Sequence, residues 1–433
     1  MNGISNIFKK KKILIYGFGK SGISSFNFLK KKNQVYIFDD NNKIPSDKYF
    51  KKSKISLNQI NKINFDLVIL SPGINSKNCK LKKFLKKNSK NIYTDLDIFY
   101  SFYKNRCITI TGTNGKSTTC QLLYQVLKEQ KYDVRLAGNI GFPILSIKKI
   151  KKKTIFVIEA SSYQLEYSKL FRSKYAAIIN VSSDHLERHG TLNNYISAKF
   201  RLIKNQKKGS ITFVNKHDNY IQTKIKKEKF NSKIINVNTI LNKKFVEKFK
   251  NDYFLSASNI ENLSFVIKFA KIFDVDEKNL INTIKKFKGL NYRQQIIYKK
   301  KNISIINDSK STSYASSIEM LKKKDNIYWL IGGIPKKGDK FSLSNDYCEN
   351  IKGYIFGNNQ NKFLFDLKKK IKVRGFRNLK SALDNLFKDL KKDNNSKKII
   401  LFSPAAASFD SFQNFEDRGI YFNNLIKNYI NAK

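Results

Sequence analysis

The sequence predicts an α/β protein of three domains, and three observations carry that prediction. Short runs of Ile, Val, Leu and Phe recur along the chain, each separated from the next by a helical-looking stretch. Glycine-bearing turns follow several of these runs, at the strand ends where open α/β sheets place their ligands. The chain has 433 residues, more than one ordinary core organises.

The expected strands are, in order, ILIY (13–16), VYIF (35–38), LVIL (67–70), CITI (107–110), IFVI (155–158) and AAIIN (176–180). ISIIN (303–307), IYWLIGG (327–333), GYIFG (353–357) and IILFS (399–403) follow. Lys-rich stretches near 101–106 and 285–292 are the expected seams, giving domains at 1–104, 105–290 and 291–433. The outer two are expected to be Rossmann-like. The central one is expected to be P-loop ATPase-like, with a mainly parallel sheet.

The first glycine turn is GFGKSG, carrying Gly17, Gly19, Ser21 and Gly22 between a strand and a helix. It matches G-x-G-x-x-G, and Asp39, Asp40 and Asn41 follow the next strand. Such glycines let a backbone approach a diphosphate, and the helix start offers N–H groups and a positive dipole end. The pattern also suits a plain strand-to-helix turn, and it does not choose NAD over another nucleotide.

The second turn, TGTNGKSTT (111–119), has the parts of a phosphate cradle: Gly112, Thr113, Asn114, Gly115, Lys116, Ser117 and Thr118. Six positions before Lys116 stands Ile110, where the general P-loop has its first glycine. The two glycines still permit the wrap, Lys116 can reach terminal phosphates, and Ser117 can ligate Mg²⁺.

Downstream in the same expected domain, Glu159 ends one strand, and Asp184 with His185 follows the next. A carboxylate and an imidazole at neighbouring strand ends could meet over the phosphates and hold a metal ion. With only three histidines in the chain, His185 is the ligand candidate, and His189 and His217 are expected at the surface. In the last third, Arg293, Asp308, Lys310, Thr312, Lys336, Lys337, Ser408 and Phe415 lie in segments that mostly follow strands and could converge on one crevice.

The formal net charge of +52 invites a nucleic-acid reading. Against it, only nine of the 85 basic residues are arginine, and the lysines are spread over the whole chain. Lys, Asn, Ile, Phe and Tyr abound together and share A/T-rich codons, so no specific nucleic-acid partner is expected. Cys79, Cys107, Cys120 and Cys348 lack disulfide or metal spacing, and no apolar run reaches the ~18 residues of a membrane span. A soluble cytoplasmic monomer is the expectation.

These motifs together resemble the Mur ligases and their folylpolyglutamate synthetase relatives. TGTNGKSTT is similar to the short phosphate loop of that family. SPG (71–73), GNIG (138–141), EASSYQLE (159–166), DHLERHG (184–190), NDSKST (307–312), GGIPK (332–336) and SPAAASFDSFQNFEDRG (403–419) occur in the family's order. GFGKSG, SPG and the C-terminal block look most like the member that joins D-glutamate to UDP-N-acetylmuramoyl-L-alanine. The Asp-Asn-Pro-Arg signature of the diaminopimelate- or lysine-adding member is absent.

The resemblance implies ATP-driven amide formation through an acyl phosphate. It places Lys116 on the β- and γ-phosphates, Ser117 and Glu159 on one Mg²⁺, and His185 with a carbamylated Lys199 on a second. Asn262, Arg293 and Asp308 would contact ATP. Lys310, Thr312, Lys336 (or Lys337), Ser408 and Phe415 would receive D-glutamate. The UDP-sugar would sit on Gly17, Gly19, Ser21, Gly22, Asp39, Asp40, Asn41, Ser71 and Asn139. Ser313 stands where the family pattern has Asn.

Overall fold

Runs of β-branched and aromatic residues become strands where both faces are covered, and three sheets result. The computed structural model describes residues 6–431 except 42, 43, 46, 301, 323, 324, 337 and 394–396. Lys337 therefore lies outside the described residues.

The first sheet holds β1 (Lys12–Tyr16), β2 (Gln34–Phe38), β3 (Leu67–Leu70) and β4 (Ile92–Tyr93), all parallel in the order β2-β1-β3-β4. The chain leaves β1 for one side and then crosses to the other, so the topological switch lies between β1 and β3. Gly17 and Ser71 follow those two strands.

The second sheet holds β5 (Cys107–Thr111), β6 (Val134–Gly138), β7 (Ile155–Glu159), β8 (Tyr175–Ile178), β9 (Ile211–Asn215) and β10 (Lys233–Val237). Its order is β10-β9-β8-β5-β7-β6, again parallel throughout. β5 and β7 are buried along their full length, as central strands with two covered faces must be.

The third sheet holds β11 (Gln295–Lys300), β12 (Ile303–Asn307), β13 (Asn326–Gly332), β14 (Ile351–Phe356), β15 (Lys372–Phe376) and β16 (Lys398–Phe402). Its order is β11-β12-β16-β13-β14-β15, and β11 pairs antiparallel with β12 while the other pairs are parallel. The short step from Lys300 to Ile303 leaves no room for a crossover, so a hairpin is the only connection available. Most strands without a clear apolar run (β4, β6, β10, β11 and β15) are edge strands. One side of an edge strand faces water, so polar residues such as those of KVRGF in β15 are tolerated there.

The chain divides into two compact units, Met1–Phe287 and Lys288–Lys433. The first two sheets share one unit because they share a core. Ile13, Ile15, Leu96 and Phe99 pack in one cluster with Phe156, Ile158, Leu165 and Phe171. A buried carboxylate adds to the joint: Asp97 Oδ1 accepts from the Ser168 hydroxyl and the backbone N–H groups of Lys169, Leu170 and Phe171, at 2.8–3.0 Å. Among the described residues, no helix is long and apolar enough to cross a membrane.

Candidate active site

β5 delivers the chain to the second glycine turn, and the helix Lys116–Glu129 leaves it. Gly115 is left-handed at φ +77°, and a Cβ there would lie 1.9 Å from Asn262 Oδ1. Glycine is therefore required both by backbone conformation and by the close approach of the helix Ala257–Ile272. Lys116 Nζ folds back to donate to Gly112 O at 2.9 Å and Thr113 O at 2.8 Å.

The loop is held in place by Asn180, which the sequence reading passed over. Its side-chain oxygen accepts from the N–H groups of Thr113 (3.1 Å) and Asn114 (2.9 Å), and its Nδ2 donates to Glu261 at 2.5 Å. Glu261 also accepts from Asn215 Nδ2 at 3.0 Å. The available signal was the polar end of AAIIN, since a polar residue at the end of a buried strand lies where ligand loops begin.

Glu159 ends β7, 1% exposed, and bridges two loops. Its carboxylate accepts from Ser117 Oγ and from Asn139 Nδ2, each at 2.7 Å. Lys199, also 1% exposed, projects from the helix Leu192–Lys204 and donates to Gly112 O at 2.7 Å. Two lysine nitrogens, from Lys116 and Lys199, thus converge on one carbonyl oxygen. Burial first, and then the charge of Lys116, pushes the Lys199 pKa well below the ordinary lysine value.

His185 stands at φ +54° ahead of the short helix Leu186–His189. Its Nδ1 lies 2.8 Å from Tyr163 Oη and its Nε2 lies 3.3 Å from Asp184. Among the described residues there is no group of three or more His, Cys, Asp or Glu side chains that could hold a metal ion. The oxygen donors of Ser117 and Glu159 nevertheless suit Mg²⁺, a hard cation that binds through few carboxylates and completes its shell with water and phosphate. A neutral Lys199 amine is no ligand for Mg²⁺, whereas its carbamate would offer oxygens.

His189 corrects an expectation. It is buried, not at the surface, with Nε2 3.0 Å from Ser162 Oγ and its ring against Tyr163 and Tyr195. The short helix turns this side chain inward, and burial reinforced by the nearby Arg188 charge lowers its pKa to about 4. His217 is exposed, as expected.

The first glycine turn has a different interior. Gly17 is at φ +91°, and a Cβ on Gly22 would lie 2.1 Å from Gly17 O, so strand and helix pack without a side chain between them. Ser71 Oγ donates to Gly17 O at 2.6 Å, joining the two strands of the switch point. Asp39 accepts from the N–H of Phe18 (2.8 Å) and of Asn41 (3.0 Å), and Asp40 accepts from Tyr16 Oη at 2.8 Å. Both aspartates shape the crevice. Gly19 caps the helix Lys20–Leu29 without a side-chain bond, and nothing lies within 4 Å of where its Cβ would be. Ser21 lies in the first turn of that helix, and the nearby Asp95 is buried, which raises its pKa to about 6.

In the second unit, β12, β16 and β13 are neighbours, so the segments after them share one sheet end. Asp308 is buried and accepts from Ser403 Oγ at 2.9 Å and Gln294 N–H at 3.1 Å, with burial raising its pKa to about 7. Arg293 is close enough to favour its charged form. Lys310 Nζ lies 4.0 Å from the Phe415 ring centre, Ser408 is buried, and Thr312 and Lys336 are exposed. Ser313 caps the helix Tyr314–Leu321 by accepting from Ser316 N–H, a role that serine fills as well as asparagine.

Two family models match within the first unit. Residues 110–286 match the family model described as Mur ligase middle domain. Residues 11–92 match the one described as Mur ligase MurD-like, N-terminal domain. A protein of Rickettsia felis named UDP-N-acetylmuramoylalanine--D-glutamate ligase is 34% identical over 454 residues, covering 98% of both chains. A protein of the same name from Buchnera aphidicola is 35% identical, covering 96% of this chain and 98% of its own. Among solved structures, MurC of Thermotoga maritima aligns over 98% of this chain and all of its own, with TM-score 0.56 and 17% identity. MurF of Acinetobacter baumannii aligns over 77% of this chain and 79% of its own, also with TM-score 0.56 and at 15% identity. Those structures share the fold; the near-complete matches at about a third identity go further, and by them the chain belongs to the Mur ligase family.

Proposed function

We propose that the chain is an ATP-dependent carbon–nitrogen ligase that adds D-glutamate to UDP-N-acetylmuramoyl-L-alanine, a step of peptidoglycan precursor synthesis. The observation that carries the reading is the convergence of Ser117, Glu159, Lys116 and Lys199 at the phosphate loop. Hydroxyl, carboxylate and two lysines meet at the start of a helix, where phosphoryl groups bind.

The L-alanyl carboxylate attacks the γ-phosphorus of ATP, and the bond to the ADP oxygen breaks. The amine of D-glutamate then attacks the acyl carbon, loses a proton, and phosphate departs with the former carboxylate oxygen. Lys116, unfolded from Gly112 O, neutralises the transferring phosphoryl group, and the loop N–H groups orient it. Ser117 and Glu159 would hold one Mg²⁺ ion, and His185 with a carbamylated Lys199 a second. Bound Mg²⁺ supplies charge compensation between anionic reactants. Carbamylation needs a neutral amine, and the buried, charge-repelled Lys199 favours one.

The remaining contacts are proposed residue by residue. Gly112, Thr113, Asn114, Gly115, Thr118, Asn262, Arg293 and Asp308 take ATP. Lys310, Thr312, Lys336, Ser408 and Phe415 take D-glutamate, with the lysines pairing its carboxylates. The UDP-sugar lies along Gly17–Gly22, Asp39, Asp40, Asn41, Ser71 and Asn139. Domains at 1–104, 105–290 and 291–433 divide this work in a cytoplasmic monomer.

The test mixes UDP-N-acetylmuramoyl-L-alanine, ATP, Mg²⁺ and one amino acid at a time. Phosphate is released with D-glutamate and not with L-alanine, meso-diaminopimelate or L-lysine. Silence with D-glutamate would sink the reading.

A further inference from the structure

One buried cation in the second unit has no part in the scheme above. Arg418 lies in the first turn of the helix Phe415–Asn431, with 1% of its surface exposed. It forms no ion pair among the described residues. Its guanidinium instead spreads over three loops. Nη2 donates to Ser309 O at 2.7 Å and to Ala406 O at 2.9 Å, Nη1 donates to Gly332 O at 3.3 Å, and Nε donates to Ser309 Oγ at 3.1 Å.

Each of those loops leads to a residue assigned to the amino acid. Ser309 precedes Lys310 and Thr312, Gly332 precedes Lys336, and Ala406 precedes Ser408. Phe415 opens the helix that carries Arg418, and its carbonyl accepts from Ser309 Oγ at 2.8 Å. The loops are also drawn against one another. Ile334 and Ala407 exchange backbone hydrogen bonds of 2.8 and 2.9 Å. Gly333 sits at φ +126°, where a Cβ would lie 2.3 Å from Ala407 O.

We infer that Arg418 is a positioning residue for the amino-acid subsite, its planar fork setting the spacing of the three loops that present the D-glutamate contacts. This rests on the function proposed above. A guanidinium can bind divergent carbonyls at fixed angles, whereas an ammonium is a point donor that cannot hold three loops in register. Burying a cation without a carboxylate beside it is costly. Here that cost is offset by three backbone carbonyls and the Ser309 hydroxyl, with the charges of Asp410 and Asp308 assisting, and burial lowers the Arg418 pKa to about 10 without discharging it at neutral pH. The arrangement also leaves a fixed positive charge behind a site meant for a dicarboxylate.

Arg418→Lys keeps the charge and removes the fork, so steady-state kinetics of this variant test the idea. KM for D-glutamate is expected to rise about tenfold or more, because small misplacements of binding groups are expensive. KM for UDP-N-acetylmuramoyl-L-alanine, whose proposed contacts lie in the first unit, is expected to stay within about twofold. An unchanged KM for D-glutamate, or equal rises for both substrates, would overturn the inference. Should Arg418→Lys fail to fold, Ser309→Ala decides: it removes only the hydroxyl bonded to Arg418 and Phe415. A selective rise of about threefold in KM for D-glutamate supports the inference, and no change rejects it. A wild-type chain inactive with D-glutamate would refute the proposed function itself, a result read separately from either variant.

Discussion

The two glycine turns of the first unit begin alike and end differently. Each follows a parallel strand, each contains a left-handed glycine, and each opens a helix. At Gly17–Gly22 the polar partners are an aspartate on Phe18 N–H and a serine on Gly17 O. Lys20, the lysine of that turn, is exposed. At Gly112–Ser117, two lysines meet on Gly112 O while a carboxylate waits on Ser117 Oγ. A turn built only of N–H groups and glycines can hold a diphosphate. A turn that sets the Lys116 cation beside a carboxylate and hydroxyl suited to Mg²⁺ can stabilise a phosphoryl group in transfer, since charge placed where charge develops is what lowers that barrier. Shared backbone geometry therefore says where phosphate sits, and the side chains folded onto it say whether it reacts.

The largest effect expected to separate the two is in Lys116→Met. Its kcat should fall by about 10⁴, the scale of removing a cation from a phosphoryl-transfer site, with UDP-sugar affinity by calorimetry unchanged. A loss of UDP-sugar affinity of similar size would erase the distinction between the turns. Next comes Lys199→Ala, expected to lose about 10³ in kcat and to recover part of it with added acetate or propionate, which can replace a carbamate. Retained activity in Lys199→Ala would rule out the carbamate.

The titrating groups near the two turns give opposite pH signs. His189, on the phosphate-transfer side, has its pKa lowered to about 4. Its contribution to stability is complete above the unfolded value near 6.5 and is lost as pH falls through 4, up to roughly 3 kcal/mol. Asp95, beside the first turn, is raised to about 6. Its contribution is complete below the unfolded value near 3.8 and is lost as pH rises through 6, again up to roughly 3 kcal/mol. Denaturant titrations between pH 4 and 8 should therefore show His189→Phe flattening the acid side and Asp95→Asn flattening the neutral side. Identical pH profiles for both variants and the wild type would contradict these burial effects.

The smallest effect is expected at Gly19, where an added Cβ meets no protein atom. Gly19→Ala should leave the melting temperature unchanged and raise KM for the UDP-sugar about tenfold by placing a methyl where the diphosphate approaches. An unaltered KM would remove the first turn from the substrate site.

Much of the site was legible before folding because its key parts are contiguous. Gly112 to Thr118 form one turn, and a glycine-lysine-serine run after a strand restricts the backbone to a few conformations that expose N–H groups. Glu159 was legible as a carboxylate at a strand end, because parallel strands bring their ends to a common crevice. The apolar runs marked the central strands for the same reason: two covered faces demand unbroken hydrophobicity. Edge strands, half in water, left a weaker trace.

Tertiary structure alone decided the partners that are distant in sequence. Asn180 braces Asn114 from 66 positions away, and Thr119 meets Asn262 across 143. His189 reads as a surface residue in DHLERHG until the chain turns it against Tyr163 and Tyr195. Arg418 looks like any charge in a helix until three loops close around it. Local sequence limits torsion angles and marks apolar faces, whereas burial and pairing depend on which distant groups the fold brings within a few ångströms.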